Sequence, residues 1–296
     1  MPTAHGHDAT TYFETIGDPA DPAVLLLCGL GQQLVDWPPL FIHTLAIAGY
    51  YVVALDNRDA GLSSHFPGKV NLNGLRAAIA AGGPVEVPYR LSDMAADTKS
   101  VIDAIGAQSV HMLGSSMGGM IAQAVTIEYP ERVRSLTSIM AATGAADIGA
   151  PSAVGRQALF RAPPMDKAGA VRSAVETDRL LATPGPFDPE AAAALAAWRY
   201  ERAFDPAGTG RQLAAIWASG DRTADLRRLA VPTLVIHGDR DELVDVTGGR
   251  ATAAAVPDAR YVEIPGLNHD YPAALLPSIL RPIVTHLNRA EALAAS

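Results

Sequence analysis

Short apolar runs rich in Val, Ile and Leu recur along the chain at residues 10–15, 23–28, 50–56, 109–113, 135–141, 232–237 and 260–264. Most are continuous rather than alternating, which predicts strands of a parallel sheet buried on both faces. Helical patterns fill the intervals 37–48, 92–105, 118–129, 247–256 and 272–290. Strand–helix alternation of this kind predicts a doubly wound α/β fold, with a mostly parallel central sheet flanked by helices. Two stretches break the rhythm. Residues 66–89 hold a short Ala-rich helix between glycine-containing segments and offer no strand partner. Residues 144–229 hold four or five helical patterns, among them 166–182 and 189–204, punctuated by Pro and Gly. This second stretch is expected to be a helical cap inserted between two strands of the sheet. Residues 1–143 and 230–296 then form the core domain, and 144–229 the cap.

Composition narrows the classes of function. With 49% apolar and 18% charged residues over 296 positions, the chain can bury a substantial core and is not intrinsically disordered. A net charge of −8 argues against a nucleic-acid partner or an anionic membrane surface, which clustered Lys and Arg would serve. The single cysteine, Cys28, precludes an intrachain disulfide. The first twenty residues lack a basic segment followed by an apolar one, and no run approaches the roughly 18 apolar residues of a spanning helix. A cytoplasmic protein is the expectation. Nothing in the pattern speaks to oligomeric state.

The strongest chemical signal is Gly114-Ser115-Ser116-Met117-Gly118, placed between a strand pattern and a helical one. This is G-x-S-x-G in the strand–turn–helix context its mechanics require. Side chains at Gly114 and Gly118 would clash in so tight a turn, and the turn lifts the Ser116 hydroxyl above the sheet. The following helix N-terminus offers unpaired amides and a positive dipole to a developing oxyanion. A serine hydroxyl needs a base to take its proton and a carboxylate to orient that base. His269 follows the strand at 260–264, in a loop, and suits the base. Asp241 follows the strand at 232–237, with Asp239, Glu242 and Asp245 as near rivals. His111 and His237 sit inside strand patterns and read as packed core residues. There is no H-E-x-x-H, no Cys/His cluster of ligand spacing and no G-x-G-x-x-G, so neither a metal nor a dinucleotide cofactor is expected.

These features together resemble the α/β-hydrolase superfamily, over nearly the whole length. The stretch Asp56-Asn57-Arg58-Asp59-Ala60-Gly61-Leu62-Ser63 is similar to the family's D-x-R-G-x-G-x-S, with Asp59 in place of the usual glycine. Cys28-Gly29-Leu30-Gly31 stands where many members carry His-Gly-Gly or His-Gly-x-Pro. The Ser-Ser-Met-Gly-Gly-Met segment, with the Asp59 variant, resembles actinobacterial carboxylesterases and the aclacinomycin methylesterase subgroup. The family's spacing of glycine, two residues, then aspartate selects Asp241. The resemblance implies that Ser116 attacks the carbonyl of a small-molecule ester, His269 moves the proton and Asp241 holds the imidazole. It further implies that the backbone amides of Leu30 and Met117 form the oxyanion hole, with no cofactor and no metal. Gly29 and Trp37 are expected near the substrate, though Trp37 suits plain core equally well. Arg58 and Asp59 are expected to brace their own loop, and Cys28 to pack as a small apolar residue. Leu159, Phe160, Leu180, Trp198 and Trp217 predict a covered, largely apolar pocket under the cap. The same triad also serves lactone hydrolysis, carbon–carbon bond cleavage and cofactor-free perhydrolysis. A non-catalytic receptor on the same scaffold is the alternative of another class, and the intact triad weighs against it.

Overall fold

The structure is a computed structural model that describes residues 2–162 and 164–294. Met1, Pro163, Ala295 and Ser296, which fall within the expected core and cap segments, lie outside the described residues. Eight strands form one sheet: β1 (Thr3–His5), β2 (Thr10–Ile16), β3 (Ala23–Leu27), β4 (Tyr51–Leu55), β5 (Val110–Ser115), β6 (Val133–Ile139), β7 (Thr233–Gly238) and β8 (Arg260–Ile264). Their spatial order is β1-β2-β4-β3-β5-β6-β7-β8. The β1–β2 and β2–β4 pairs are antiparallel and every later pair is parallel. β1 escapes the hydrophobic pattern because Ala4 is its only buried residue, and its backbone pairing with β2 defines it.

The continuous apolar runs separate into two faces by the two-residue period of a strand. Leu25, Leu27, Val53 and Leu55 enter one core with α3 (Leu91–Ala104), α4 (Met117–Glu128) and α10 (Thr247–Ala255). Val24, Leu26, Val52 and Ala54 enter the other, packed on Phe41 and Leu45 of α1 (Pro39–Ile47) and on Ile279, Ile283 and Leu287 of α11 (Leu276–Ala294). Within residues 66–89 a single helix, α2 (Leu72–Ala80), starts at Asn71, whose side chain accepts from the Gly74 amide.

Between β6 and β7 the chain leaves the sheet, and the described residues there form five helices: α5 (Ala153–Leu159), α6 (Lys167–Leu181), α7 (Pro189–Arg202), α8 (Gly208–Ser219) and α9 (Thr223–Leu226). Ser152, Asp166 and Asp188 cap the first three through side-chain oxygens, which fixes where each begins. The aromatic residues here differ from expectation. Phe160 and Trp198 are 45% and 53% exposed, and Phe160 pairs with Trp217 at 6.1 Å under the Arg76 guanidinium of α2. Ala215, Leu226 and Leu229 join the hydrophobic core beneath this excursion, while Phe160 and Trp198 stay outside it. No helix among the described residues is long and apolar enough to cross a membrane.

Candidate active site

The loops that carry the predicted site residues all leave the carboxyl edge of the parallel strands, where α/β sheets open to ligands. At the β5–α4 junction Ser116 adopts φ 55° and ψ −121°, a conformation that costs a non-glycine residue about 1–3 kcal/mol. Its amide donates to the Ile139 carbonyl at 2.9 Å and its carbonyl accepts from Met120 N at 3.1 Å, which pin the turn on both sides. A Cβ on Gly114 would overlap the Gly118 carbonyl, and one on Gly118 would overlap the Leu27 carbonyl of β3. The two glycines thus let the turn close and let α4 approach the sheet.

The loops after β7 and β8 are tied together. Arg240 N donates to the Leu267 carbonyl at 3.1 Å, and Asn268 Oδ1 accepts from Glu242 N and His269 N at 2.9 Å each. These bonds bring His269 Nδ1 to 2.8 Å from Asp241 Oδ2. Asp241 Oδ1 accepts from Leu243 N and Val244 N at 2.9 and 2.8 Å. Burial alone would push this carboxyl up, but the two nearby imidazoles, His269 and His237, outweigh it and hold Asp241 well below the ordinary carboxylate range. An ionised carboxylate only accepts, so His269 Nδ1 carries a proton and donates it to Asp241. Two of the rival acids are occupied elsewhere. Asp239 Oδ1 accepts from Gly266 N at 2.6 Å, and Asp245 Oδ1 accepts from Thr247 N at 3.0 Å.

His237, expected from its strand pattern to be a core residue, is one. It is fully buried, and its Nε2 donates to the Val244 carbonyl at 2.7 Å. The same nitrogen also lies 3.2 Å from Asp241 Oδ2, a contact no sequence pattern announces. Gly249 is glycine because a Cβ there would meet the His237 ring.

Near Ser116, a Cβ placed on Gly29 would lie 3.3 Å from the Ser116 Cβ, so this backbone borders Ser116 directly. Met117 is the first residue of α4, so its amide has no acceptor within the helix. The Leu30 amide meets no acceptor among the described residues. Trp37 is 4% exposed and packs on Phe41 and Tyr271 at ring separations of 4.9 and 5.6 Å. Cys28 is buried, its Sγ 3.3 Å from the Gln33 carbonyl, and burial pushes its thiol up.

Arg58 and Asp59 diverge. Arg58 stays within the core, donating from Nε to Asp97 Oδ2 at 2.6 Å and stacking on Phe66 and Tyr89. Asp59 reaches outward: it takes a two-pronged bond from Arg211 of α8, 2.8 Å to each oxygen, and further bonds from Tyr89 Oη and Phe66 N. Arg202 pairs likewise with Asp56 at 2.7 Å, and Arg199 with Asp36 at 2.9 Å. Asp59, His65 and Asp205 place three ligand-type atoms within 4.8 Å of one another. The Arg211 guanidinium bonds both carboxylates of that group and already supplies its cation.

Comparison with known proteins places the chain. It is 29% identical to a rhodomycin D methylesterase of Streptomyces sp. strain C5, covering 96% of both chains. It is 28% identical to a putative carbamate hydrolase of Azorhizobium caulinodans, covering 96% of this chain and 97% of that one. Among solved structures, the enol-lactonase of Burkholderia xenovorans superposes with a TM-score of 0.74 at 20% identity, over 97% of this chain and all of the other. A family model described as the alpha/beta hydrolase fold matches residues 22–271. With its sheet order, its strained serine and this match over most of its length, the chain belongs to the α/β-hydrolase fold family.

Proposed function

We propose that the protein is a serine hydrolase that cleaves a carboxylic ester of a small, largely apolar molecule through an acyl-enzyme. The observation that carries this reading is the His269 Nδ1–Asp241 Oδ2 bond of 2.8 Å in a chain whose strained turn presents Ser116. Ser116 Oγ attacks the ester carbonyl carbon while His269 Nε2 takes its proton. The carbonyl oxygen becomes an oxyanion held by the Leu30 and Met117 amides. Asp241, kept ionised, steadies the imidazolium. His269 then returns the proton to the departing alcohol, and water, activated by the same nitrogen, releases the acid and restores Ser116. The likeness to rhodomycin D methylesterase supports an ester substrate and makes a methyl ester a natural candidate. The division into a core of 1–143 and 230–296 and a cap of 144–229 fits this reading, with the cap's α7 and α8 bonded to the loops around the site.

The test is hydrolysis of p-nitrophenyl esters from acetate to palmitate, and of aryl methyl esters, by wild type and Ser116→Ala. Turnover by wild type alone is the expected result, with the chain-length optimum reporting pocket depth. Ser116→Ala retaining more than a few per cent of turnover would sink the nucleophile. A wild type that an organophosphate labels at Ser116, yet cleaves no ester, points to a lactone or diketone substrate. One that is neither labelled nor active supports the binding-only alternative.

A further inference from the structure

The loop after β3 turns through Gly29, Leu30 and Gly31, and its three consecutive amides meet different fates. Gly29 N donates to Gln32 Oε1 at 2.9 Å, and Gly31 N donates to Gln212 Oε1 at 2.8 Å. The Leu30 amide between them has no acceptor among the described residues. Gln212 belongs to α8 of the cap and is fully buried. Its Nε2 donates to the Arg58 carbonyl at 2.8 Å, so its amide can face only one way, with the carbonyl oxygen toward Gly31. Thr209 closes the same turn: a Cβ on Gly31, whose φ is +69°, would lie 2.8 Å from Thr209 Oγ1. α8 is in turn seated by Asp59. Arg211, next to Gln212, holds both Asp59 oxygens, and a Cβ on Gly208 would overlap the Asp59 carbonyl.

We infer that Gln212, with Gln32, is a positioning residue for the oxyanion hole, an inference that rests on the ester-cleaving reading above. Two glutamine carbonyls occupy the flanking amides and leave Leu30 N–H as the turn's free donor. A glycine turn with three loose amides would present a shifting set of donors to the developing charge. Fixing the turn beforehand removes that reorganisation from the reaction step. The cap then contributes to the rate without touching the substrate, because one of its side chains sets the shape of a core loop. The aspartate that replaces the family's usual glycine acquires a role in the same chain of contacts: it docks the helix that delivers Gln212.

The test pairs kinetics with a transition-state analogue. Gln212→Met is close in shape and removes the acceptor. We expect kcat on p-nitrophenyl butyrate to fall about 10-fold, less than the roughly 10²–10³ typical of deleting a donor outright. KM should change less than about 2-fold. Affinity for a trifluoromethyl ketone, whose adduct with Ser116 carries the oxyanion, should fall by the same factor as kcat. Gln32→Met should behave in the same way, while Gln32→Glu, which keeps an acceptor for Gly29 N, should retain several-fold more of kcat. A folded Gln212→Met with wild-type kcat, or with kcat and ketone affinity changing independently, overturns the inference. If Gln212→Met fails to fold, the Gln32 pair decides, and equal rates for its two variants overturn it. A wild type that takes neither ester nor organophosphate overturns the hydrolase reading and this inference with it. A reactive wild type with an indifferent Gln212→Met overturns this inference alone.

Discussion

The Asp59–Arg211 pair offers the sharpest quantitative test of how the cap is held. Both side chains are at most 2% exposed, and two charge-assisted bonds of 2.8 Å join them. In Arg211→Met, Asp59 keeps only the Tyr89 hydroxyl and the Phe66 amide, in a site that water does not reach. Breaking a buried ion pair from one side costs about 3–5 kcal/mol, since the remaining charge is stranded. The lower end applies here, because both remaining partners still donate to the carboxylate. In Asp59→Asn, Arg211 keeps Asp205 and the Gly68 carbonyl, so that variant should lose less, about 2–3 kcal/mol. Asparagine also tolerates the φ of 66° at this position, so backbone strain is not added. The double variant strands neither charge fully. The cycle should therefore give a coupling of about 2–3 kcal/mol.

Urea unfolding at pH 7, followed by circular dichroism and by tryptophan fluorescence, measures all four corners. Urea is uncharged and leaves the ionic strength to be set independently. The pair is buried, so 1 M salt should leave most of the coupling, unlike a surface pair, which screening would erase. A coupling below about 0.5 kcal/mol, or one abolished by salt, would refute the view that this buried bidentate pair fastens α8 to the core.

Two further predictions concern Asp241 and the buried His286 of α11. Asp241→Asn keeps an oxygen for the Leu243 and Val244 amides but turns an NH2 toward His269 Nδ1, which forces the wrong tautomer; kcat should fall about 10⁴-fold in steady-state assays of the folded variant. Burial, reinforced by neighbouring His111, Arg260 and Arg289, lowers His286 to about 4. The unfolded chain takes a proton at about 6.5 while the native one refuses it, so this stability is whole above pH 6.5 and lost as pH falls through 4. The loss amounts to about 3 kcal/mol, and His286→Leu should reduce the slope of the urea-midpoint profile between pH 4 and 7, leaving the part due to His111, which burial likewise lowers to about 4.

The parts of this protein legible in its sequence are those whose physics is local. A strand needs only its own apolar run, so seven of the eight strands announce themselves, and β1 does not because it is held by backbone bonds to β2. The strand–glycine–serine–glycine–helix segment is equally local: Gly114, Ser116 and Gly118 make the turn among themselves and the adjoining β3. Asp241 and His269 lie 28 residues apart, yet each directly follows a readable strand, so topology brings them together once the sheet is known. His237 was visible as a strand residue, but its second contact depends on how the following loop folds back.

The contacts that hold the loops after β3 and β4 are of another kind. Arg199, Arg202 and Arg211 each sit more than 140 residues from the core acids Asp36, Asp56 and Asp59 that they bind, and any of the chain's arginines could serve those acids as well on composition. What selects them is the docking of α7 and α8, which buries Leu213, Ala214 and Ala215 of α8 but whose choice of ion-pair partners no local pattern encodes. Asp59 was the single clue in the sequence: a charged residue at a left-handed position where glycine is usual has to be neutralised by something. A chain that places a buried carboxylate there must also supply a cation from elsewhere in the fold. Here that cation comes from the helix whose next residue accepts the Gly31 amide, so the substitution near the site and the order of the cap are consequences of one arrangement.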